Sequence, residues 1–247
     1  TTISEKFTPE DLVKFLREYL SSMSNIILDE RGFINKYEWD AIMALWWVFG
    51  PKKWKDAYDA CESALKQQET LKQLNIKWER EWFAEIKARI WIHAWNAIIW
   101  NIWAEWRKME FTALWDNVNL ASRLEWVNKF YGTYICVSED VVNQTKDNFS
   151  YRYLDKIRVK WKDQPVVIYE LLARKGCLTE KRKATILKFT QWIKCYLSQD
   201  FEEAVKIFNA CMQDWDIPSK TYYERSKEFL DTPPKGVWEW IWNHDEK

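Results

Sequence analysis

Helical and extended periodicity alternate along the first 174 residues of this chain and then give way to helical periodicity alone, which limits the fold to an α+β body followed by an all-α extension. Thr8-Pro9-Glu10-Asp11 opens the first helix with an N-cap threonine, proline at the first helical position and an acidic first turn. Leu12, Phe15, Leu16, Tyr19 and Leu20 then mark an apolar face, and the pattern predicts a helix to about Ile27. Phe33 to Tyr37 and Ala41 to Trp46 are two short extended runs flanking Glu38-Trp39-Asp40, a hairpin with a carboxylate at its tip. Lys52 to about Trp78 predicts a long amphipathic helix with Ala57, Ala60, Cys61, Ala64, Leu65 and Leu71 on its inner side. Strands come next in KARIWIHAWNAIIWNI, KMEFTALW, TYICVSE, FSYRYLDKIRVKW and PVVIYELLA, with a short helix from Glu139, all arranged around one sheet. Beyond Arg174-Lys175-Gly176 come two antiparallel helices broken at Ser198-Gln199-Asp200 and a third in PSKTYYERSKEFLDTPP.

Charge and cysteine usage exclude several function classes. Lysine and arginine number 37 against 37 acidic residues, so the formal net charge is zero and no nucleic-acid footprint or polybasic membrane surface is expected. Cys61, Cys136, Cys177, Cys195 and Cys211 lack CxxC spacing and histidine partners; they are expected to be buried or free thiols of a reducing compartment. No apolar run approaches the roughly 18 to 20 residues of a membrane span, and no signal peptide opens the sequence.

The stretch WDNVNLASRLEWVNKFYGT, residues 115–133, is predicted to form a partly buried helix on which Asn119, Arg123 and Val127 recur at i, i+4 and i+8. An amide and a guanidinium thus share one face. Arginine offers a rigid fork of donors suited to phosphate oxygens, and asparagine can hydrogen-bond a ribose or an ordered water. A solvated face with one structural arginine is the commoner use of such a pair.

Taken in order, KYEWDAIMA, ARIWIHAWNAIIWNIWAE, MEFTALWDNVNLASRLE and VKWKDQPVVIYEL resemble the catalytic domain of class III nucleotidyl cyclases, and TALWDNVNLASRLE resembles a signature of the bacterial adenylate cyclases. The resemblance covers nearly all of residues 1–174, leaving 175–247 as a C-terminal helical extension whose helix-turn-helix resembles a single tetratricopeptide-like unit. It implies a ferredoxin-like βαββαβ core with a mixed, mainly antiparallel sheet, working as a homodimer with sites at the subunit interface. It also implies a reaction, in which the ribose 3'-oxygen of ATP attacks the α-phosphate to give cyclic AMP and pyrophosphate.

Residue roles carry over by motif position. Asp40 corresponds to one of two metal-binding aspartates, for two ions of Mg2+ or Mn2+ per site; a hairpin-tip aspartate taken alone is an ordinary turn former. Lys36 and Thr112 correspond to the pair that reads adenine. Asn119 and Arg123 correspond to the residues that orient the ribose and stabilise charge on the transferring phosphoryl group, and Lys160 or Lys162 to a lysine on the terminal phosphates. The tail, ending TPPKGVWEWIW, resembles the segment after the cyclase domain in membrane-anchored bacterial cyclases with an upstream sensor, which implies a cytoplasmic catalytic domain. A catalytically inactive cyclase-homology domain, acting as a dimerisation or regulatory module, is the alternative.

Two departures from the family pattern stand out. Thr1-Thr2-Ile3-Ser4-Glu5 resembles the segment immediately C-terminal to the family's FxDIxGFT motif, so the first strand and first metal aspartate are expected to be missing and the chain as written inactive. The second departure is compositional. Nineteen tryptophans stand beside five glycines, about 2% against a usual ~7%. Trp39, Trp47, Trp82, Trp91, Trp95, Trp100, Trp103, Trp106, Trp115, Trp126 and Trp161 occupy positions where family members commonly carry glycine, and Trp192, Trp215 and Trp240 are further cases; Trp46, Trp78, Trp238 and Trp242 read as true tryptophans. Forcing a side chain into a left-handed backbone costs ~1 to 2 kcal/mol and overfilling a packed site roughly 1 to 3 kcal/mol, so many such sites rival a domain's whole stability of ~5 to 15 kcal/mol. UGA encodes glycine in some bacterial lineages, and translation of a recoded gene with the wrong table would make this one substitution. Reading all fourteen as glycine raises the five glycines to nineteen, about 8% of the chain.

Overall fold

Thr8 begins the first element described in the computed structural model, which describes residues 8–46, 56–80, 85–94, 98–104, 108–114, 127–159, 164–212, 217–234, 238 and 241–244. Its hydroxyl accepts the Asp11 amide and so caps helix α1, Pro9–Asp29, satisfying one of the free donors of the first turn. The helix stops because Arg31 takes a left-handed φ of 63°, letting the Gly32 amide reach back to the Ile27 carbonyl at 2.8 Å. Next comes a hairpin, β1 Phe33–Glu38 and β2 Ala41–Leu45. Helix α2, Asp56–Arg80, buries Ala57, Ala60, Cys61, Ala64, Leu65 and Leu71, the face expected from periodicity; residues 52–55 of the predicted helix lie outside the described residues.

The chain divides into two compact units, Thr1–Ala88 with Ala94–Asn119, and Arg89–His93 with Leu120–Lys247. In the first unit Phe15 and Met23 of α1 pack on Leu71 and Trp78 of α2, with the Phe15 and Trp78 rings 4.6 Å apart. A second hairpin, β4 Ile98–Ala104 with β5 Lys108–Leu114, pairs antiparallel in unbroken register.

The second unit holds a five-stranded sheet in the order β3-β6-β8-β7-β9, made of Ile90–Ile92, Ile135–Ser138, Val166–Arg174, Phe149–Val159 and Trp242–His244. The β3–β6 and β7–β9 pairs are parallel and the rest antiparallel, so the sheet is mixed as expected. The structure differs from the sequence expectation in two respects: among the described residues both hairpins close their hydrogen-bond ladders on themselves and stand as separate two-stranded sheets, and the extension read as all helical adds β9 to the sheet edge beside β7.

Short helix α3, Glu139–Thr145, links β6 to β7, and helices α4 Glu180–Leu197, α5 Phe201–Met212 and α6 Ile217–Asp231 come after β8. Thr179 caps α4 by accepting the Arg182 amide, and Gln199, at φ 65°, turns the chain between α4 and α5 where the break was expected. These helices share one core with the sheet. Phe189, Trp192, Ile193, Tyr196, Phe201, Phe208 and Tyr222 pack with Val127, Tyr131, Cys136, Leu154, Ile157 and Ile168.

Candidate active site

Lys36 and Asp40 both lie on the β1–β2 hairpin, Lys36 within β1 and Asp40 in the turn. The register slips between Ile34 and Lys36, so β1 carries one extra residue just before the lysine; such a bulge re-aims the side chains beyond it. Lys36 pairs with Glu38, two residues on and therefore on the same face of the strand. Both are well exposed, which makes the pair a weak, exchangeable contact. The hairpin is tied down from behind: Ser24 Oγ lies 3.0 Å from the Tyr37 hydroxyl, and the Trp46 indole N–H donates to the Glu30 carbonyl at 2.9 Å. Arg31 bridges to the buried Asp59 of α2, and Lys66 of α2 to Glu30. An anchored base thus carries an exposed hairpin end with two carboxylates, Glu38 and Asp40, and one amine, Lys36.

Thr112 lies in β5, in register opposite Trp100 of β4. Asn119, Arg123, Lys160 and Lys162 fall outside the described residues, as does the predicted helix over 115–126. The described residues of that stretch that are helical, 127–131, are anchored closely. Val127, Asn128 and Tyr131 are fully buried; the Asn128 amide donates to the Ile90 carbonyl of β3 at 3.0 Å and its carbonyl oxygen accepts the Thr133 hydroxyl at 2.9 Å. Thr133 also lies 3.2 Å from Cys136 Sγ, and burial pushes that thiol up to about 12.

Sequence reasoning overlooked a buried cluster beside this helix end. Asp155 of β7, Tyr131 and Arg225 of α6 meet there, each under 5% exposed. Arg225 Nη1 donates to Asp155 Oδ2 at 2.5 Å and its Nη2 to the Tyr131 hydroxyl at 3.0 Å; that hydroxyl donates to the same Asp155 oxygen. Burial opposes the Arg225 cation, and the facing oxygens of Tyr131 and Asp155 more than offset it, so its pKa lies above the ordinary value. Burial, with the Asp155 charge added, drives the Tyr131 phenol well above its own. One signal was available: an aspartate inside the otherwise sheet-forming run YRYLDKIRV needs a buried partner.

The tryptophans separate by geometry. Trp39 has a φ of 59° and is 95% exposed, the combination expected where glycine belongs. Trp91 Nε1 is buried with no hydrogen-bond partner among the described residues. Trp46, Trp78 and Trp238 instead donate to Glu30, Glu18 and Leu197. Trp192, grouped with the glycine positions from sequence, behaves as a core residue here: it is 7% exposed, its ring edge-on to Phe208 at 6.0 Å.

Asp40 offers the hard oxygen donor that Mg2+ or Mn2+ takes, and so suits one ligand position; among the described residues no group of three or more histidine, cysteine or acidic side chains forms a complete metal site. Among the described residues, too, no helix is long and apolar enough to cross a membrane.

Residues 1–173 match the family model of the adenylate and guanylate cyclase catalytic domain. Adenylate cyclase 1 of Rhizobium meliloti is 34% identical over 172 residues, covering 70% of this chain and 26% of its own length. The terminal-differentiation-specific adenylate cyclase of Dictyostelium discoideum is 30% identical over 242 residues, covering 94% of this chain, and hence reaching into the C-terminal helices, but 11% of its own length. The chain therefore spans only a minor part of the curated relatives it resembles. Among solved structures, the adenylyl cyclase CyaB from P. aeruginosa superposes with a TM-score of 0.64 at 27% identity, over 72% of this chain and 90% of that one. With its β1–β2 hairpin, mixed sheet and family match extending over 1–173, this chain belongs to the class III adenylate and guanylate cyclase catalytic domain family.

Proposed function

We propose that this chain is the catalytic portion of an adenylate cyclase that converts ATP to cyclic AMP and pyrophosphate as a homodimer. The observation that carries the reading is the match to the cyclase domain over 1–173, which takes in an anchored hairpin with Lys36 in β1 and Asp40 in its turn; in the homodimer one subunit would supply Asp40 to a site and the other Lys36, Thr112, Asn119 and Arg123. In the reaction the ribose 3'-hydroxyl gives up its proton to solvent, a bond forms between the 3'-oxygen and the α-phosphorus, and the bond from that phosphorus to the pyrophosphate oxygen breaks. Bound divalent ions would supply charge neutralisation at the triphosphate and a more acidic 3'-hydroxyl.

The chain's own residues bind and orient. Asp40 would hold metal through its exposed carboxylate. Lys36, released from its solvent-exposed pairing with Glu38, and Thr112 hydrogen-bond the purine edge, a pairing that favours adenine. Asn119 fixes the ribose, Arg123 places a guanidinium on the phosphoryl oxygens as charge builds, and Lys160 or Lys162 neutralises the terminal phosphates. Upstream sensor and membrane segments would occupy the length beyond this chain.

The test is cyclic nucleotide production by the full-length protein with Mn2+, comparing ATP with GTP. Cyclic AMP from ATP, with Asp40→Asn reducing kcat at least ~100-fold, is expected. Silence of the full-length protein with both nucleotides would overturn the reading in favour of a non-catalytic dimerisation module.

A further inference from the structure

Helix α6 lies beyond the segment matched by the cyclase family model, yet it reaches into the interior of the second unit. Three of its residues grip two separate stretches of the chain. Arg225 joins Asp155 of β7 to Tyr131, and its guanidinium carbon stands 5.4 Å from the Phe130 ring centroid and 5.7 Å from that of Tyr131. The Tyr222 hydroxyl donates to the Leu154 carbonyl at 2.5 Å. Ile217 lies over Gly132, so closely that a Cβ there would stand 2.5 Å from Ile217 Cγ2, and Gly132 needs its φ of +62° to turn the chain beneath it.

Both gripped stretches lead directly to residues assigned to the nucleotide. Arg123 lies eight residues before Tyr131 in sequence, and Lys160 five after Asp155. A buried ion pair is a weak stabiliser, since removing charges from water offsets most of their attraction; its best-attested use is to specify one register among several. Asp155 has two donors on one oxygen, from two elements far apart in sequence, so sliding the 127–131 helix end along β7 would strand a buried charge.

We propose that α6 is a positioning element of the nucleotide site: the Arg225–Asp155–Tyr131 cluster locks the helical segment 127–131, which begins four residues after Arg123 in sequence, against β7, whose last residue immediately precedes Lys160, and so sets the register from which the groups assigned to the ribose and phosphates continue. The proposal rests on the adenylate cyclase reading. None of the three is a catalytic residue; they act through the segments they fix. The Dictyostelium relative, whose likeness reaches into these helices, is consistent with a part that goes with the catalytic domain.

The experiment is steady-state kinetics of the full-length protein with Mn2+ and ATP, for Tyr131→Phe, Arg225→Met and Arg225→Lys. Tyr131→Phe keeps the buried ring and the Arg225–Asp155 bridge while removing one donor. It is expected to retain the parental circular dichroism and a KM within about twofold, with kcat lowered about tenfold, because a misplaced transition-state donor costs rate more than ground-state binding. Arg225→Lys should recover part of the kcat lost in Arg225→Met. Parental kcat in a folded Tyr131→Phe overturns the proposal, as does a Tyr131→Phe too unstable to fold, which would make the cluster a stability element alone. Absence of cyclic AMP from the parent itself marks failure of the underlying activity instead, and removes the proposal with it.

Discussion

Trp39 holds a backbone conformation at odds with its side chain. A φ of 59° places it where an L-residue's Cβ crowds the neighbouring carbonyl, at a cost of ~1 to 2 kcal/mol, and at 95% exposure the indole recovers nothing by burial. Glycine would relieve the strain and give back only about 0.5 to 1 kcal/mol through the greater freedom of its unfolded chain. Trp39→Gly is therefore expected to stabilise the protein by about 0.5 to 1 kcal/mol, read as a raised denaturation midpoint at unchanged slope. Peptide mass spectrometry of the protein from its native source should show a glycine mass at position 39. A tryptophan mass there together with a neutral substitution would sink the recoding account for this site. Trp46, Trp78 and Trp238 mark the contrast, since each donates its indole N–H to a named acceptor that glycine could not satisfy.

Between elements, the α1–α2 contact in the first unit turns on Glu18. Its carboxylate takes the Lys77 amine at 2.5 Å and the Trp78 indole N–H at 3.1 Å, and these hydrogen bonds hold its pKa below the ordinary 4.5. A depressed carboxylate stabilises the fold fully above its unfolded pKa and loses that contribution as pH falls through the folded value. Glu18→Gln should thus cost about 0.5 to 1 kcal/mol at neutral pH, a modest figure because Lys77 is half exposed, and the gap to the parent should close once pH drops well below 4.5. A gap constant from neutral to acid pH would assign the effect to packing. The elements themselves were legible where the signal is local: Thr8-Pro9 fixed the start of α1, the alanine-rich face of α2 was read residue by residue, and the Ser198-Gln199-Asp200 break is a left-handed turn at Gln199. Beyond the β1–β2 hairpin, strand pairing was not legible, because register is decided by partners distant in sequence; neither the bulge before Lys36 nor the separation of both hairpins from the main sheet could be read from periodicity. The same distance hid the Arg225–Asp155 bridge, whose members are 70 residues apart. Lys36 and Asp40 were assigned through motif resemblance and lie on the hairpin expected from periodicity, whereas the buried Arg225 drew no notice because a lone arginine on an amphipathic helix reads as a solvated one.

At the scale of the molecule, the family match ends at residue 173 while the hydrophobic core of the second unit does not. Leu154, Ile157 and Ile168 of the sheet, with Tyr131, are covered by Phe189, Trp192, Phe208 and Tyr222 from the C-terminal helices. Polar contacts cross the same boundary. Arg152 of β7 donates to Glu170 at 2.9 Å and lies 5.0 Å from the Phe189 ring centroid, while Arg182 of α4 approaches Glu170 at 3.7 Å. A chain cut after Gly176 would return several large side chains to water at ~1.5 to 3 kcal/mol each and leave Asp155 without its arginine, a loss on the order of the whole ~5 to 15 kcal/mol stability of a domain. Such a cut, though it keeps every residue the family model matches, is expected to abolish cooperative thermal unfolding and to produce a species that binds a hydrophobic dye. A sharp melting transition from the shortened chain would show that its sheet needs no cover from α4 to α6, and would make those helices a separable addition instead of part of the second unit's core.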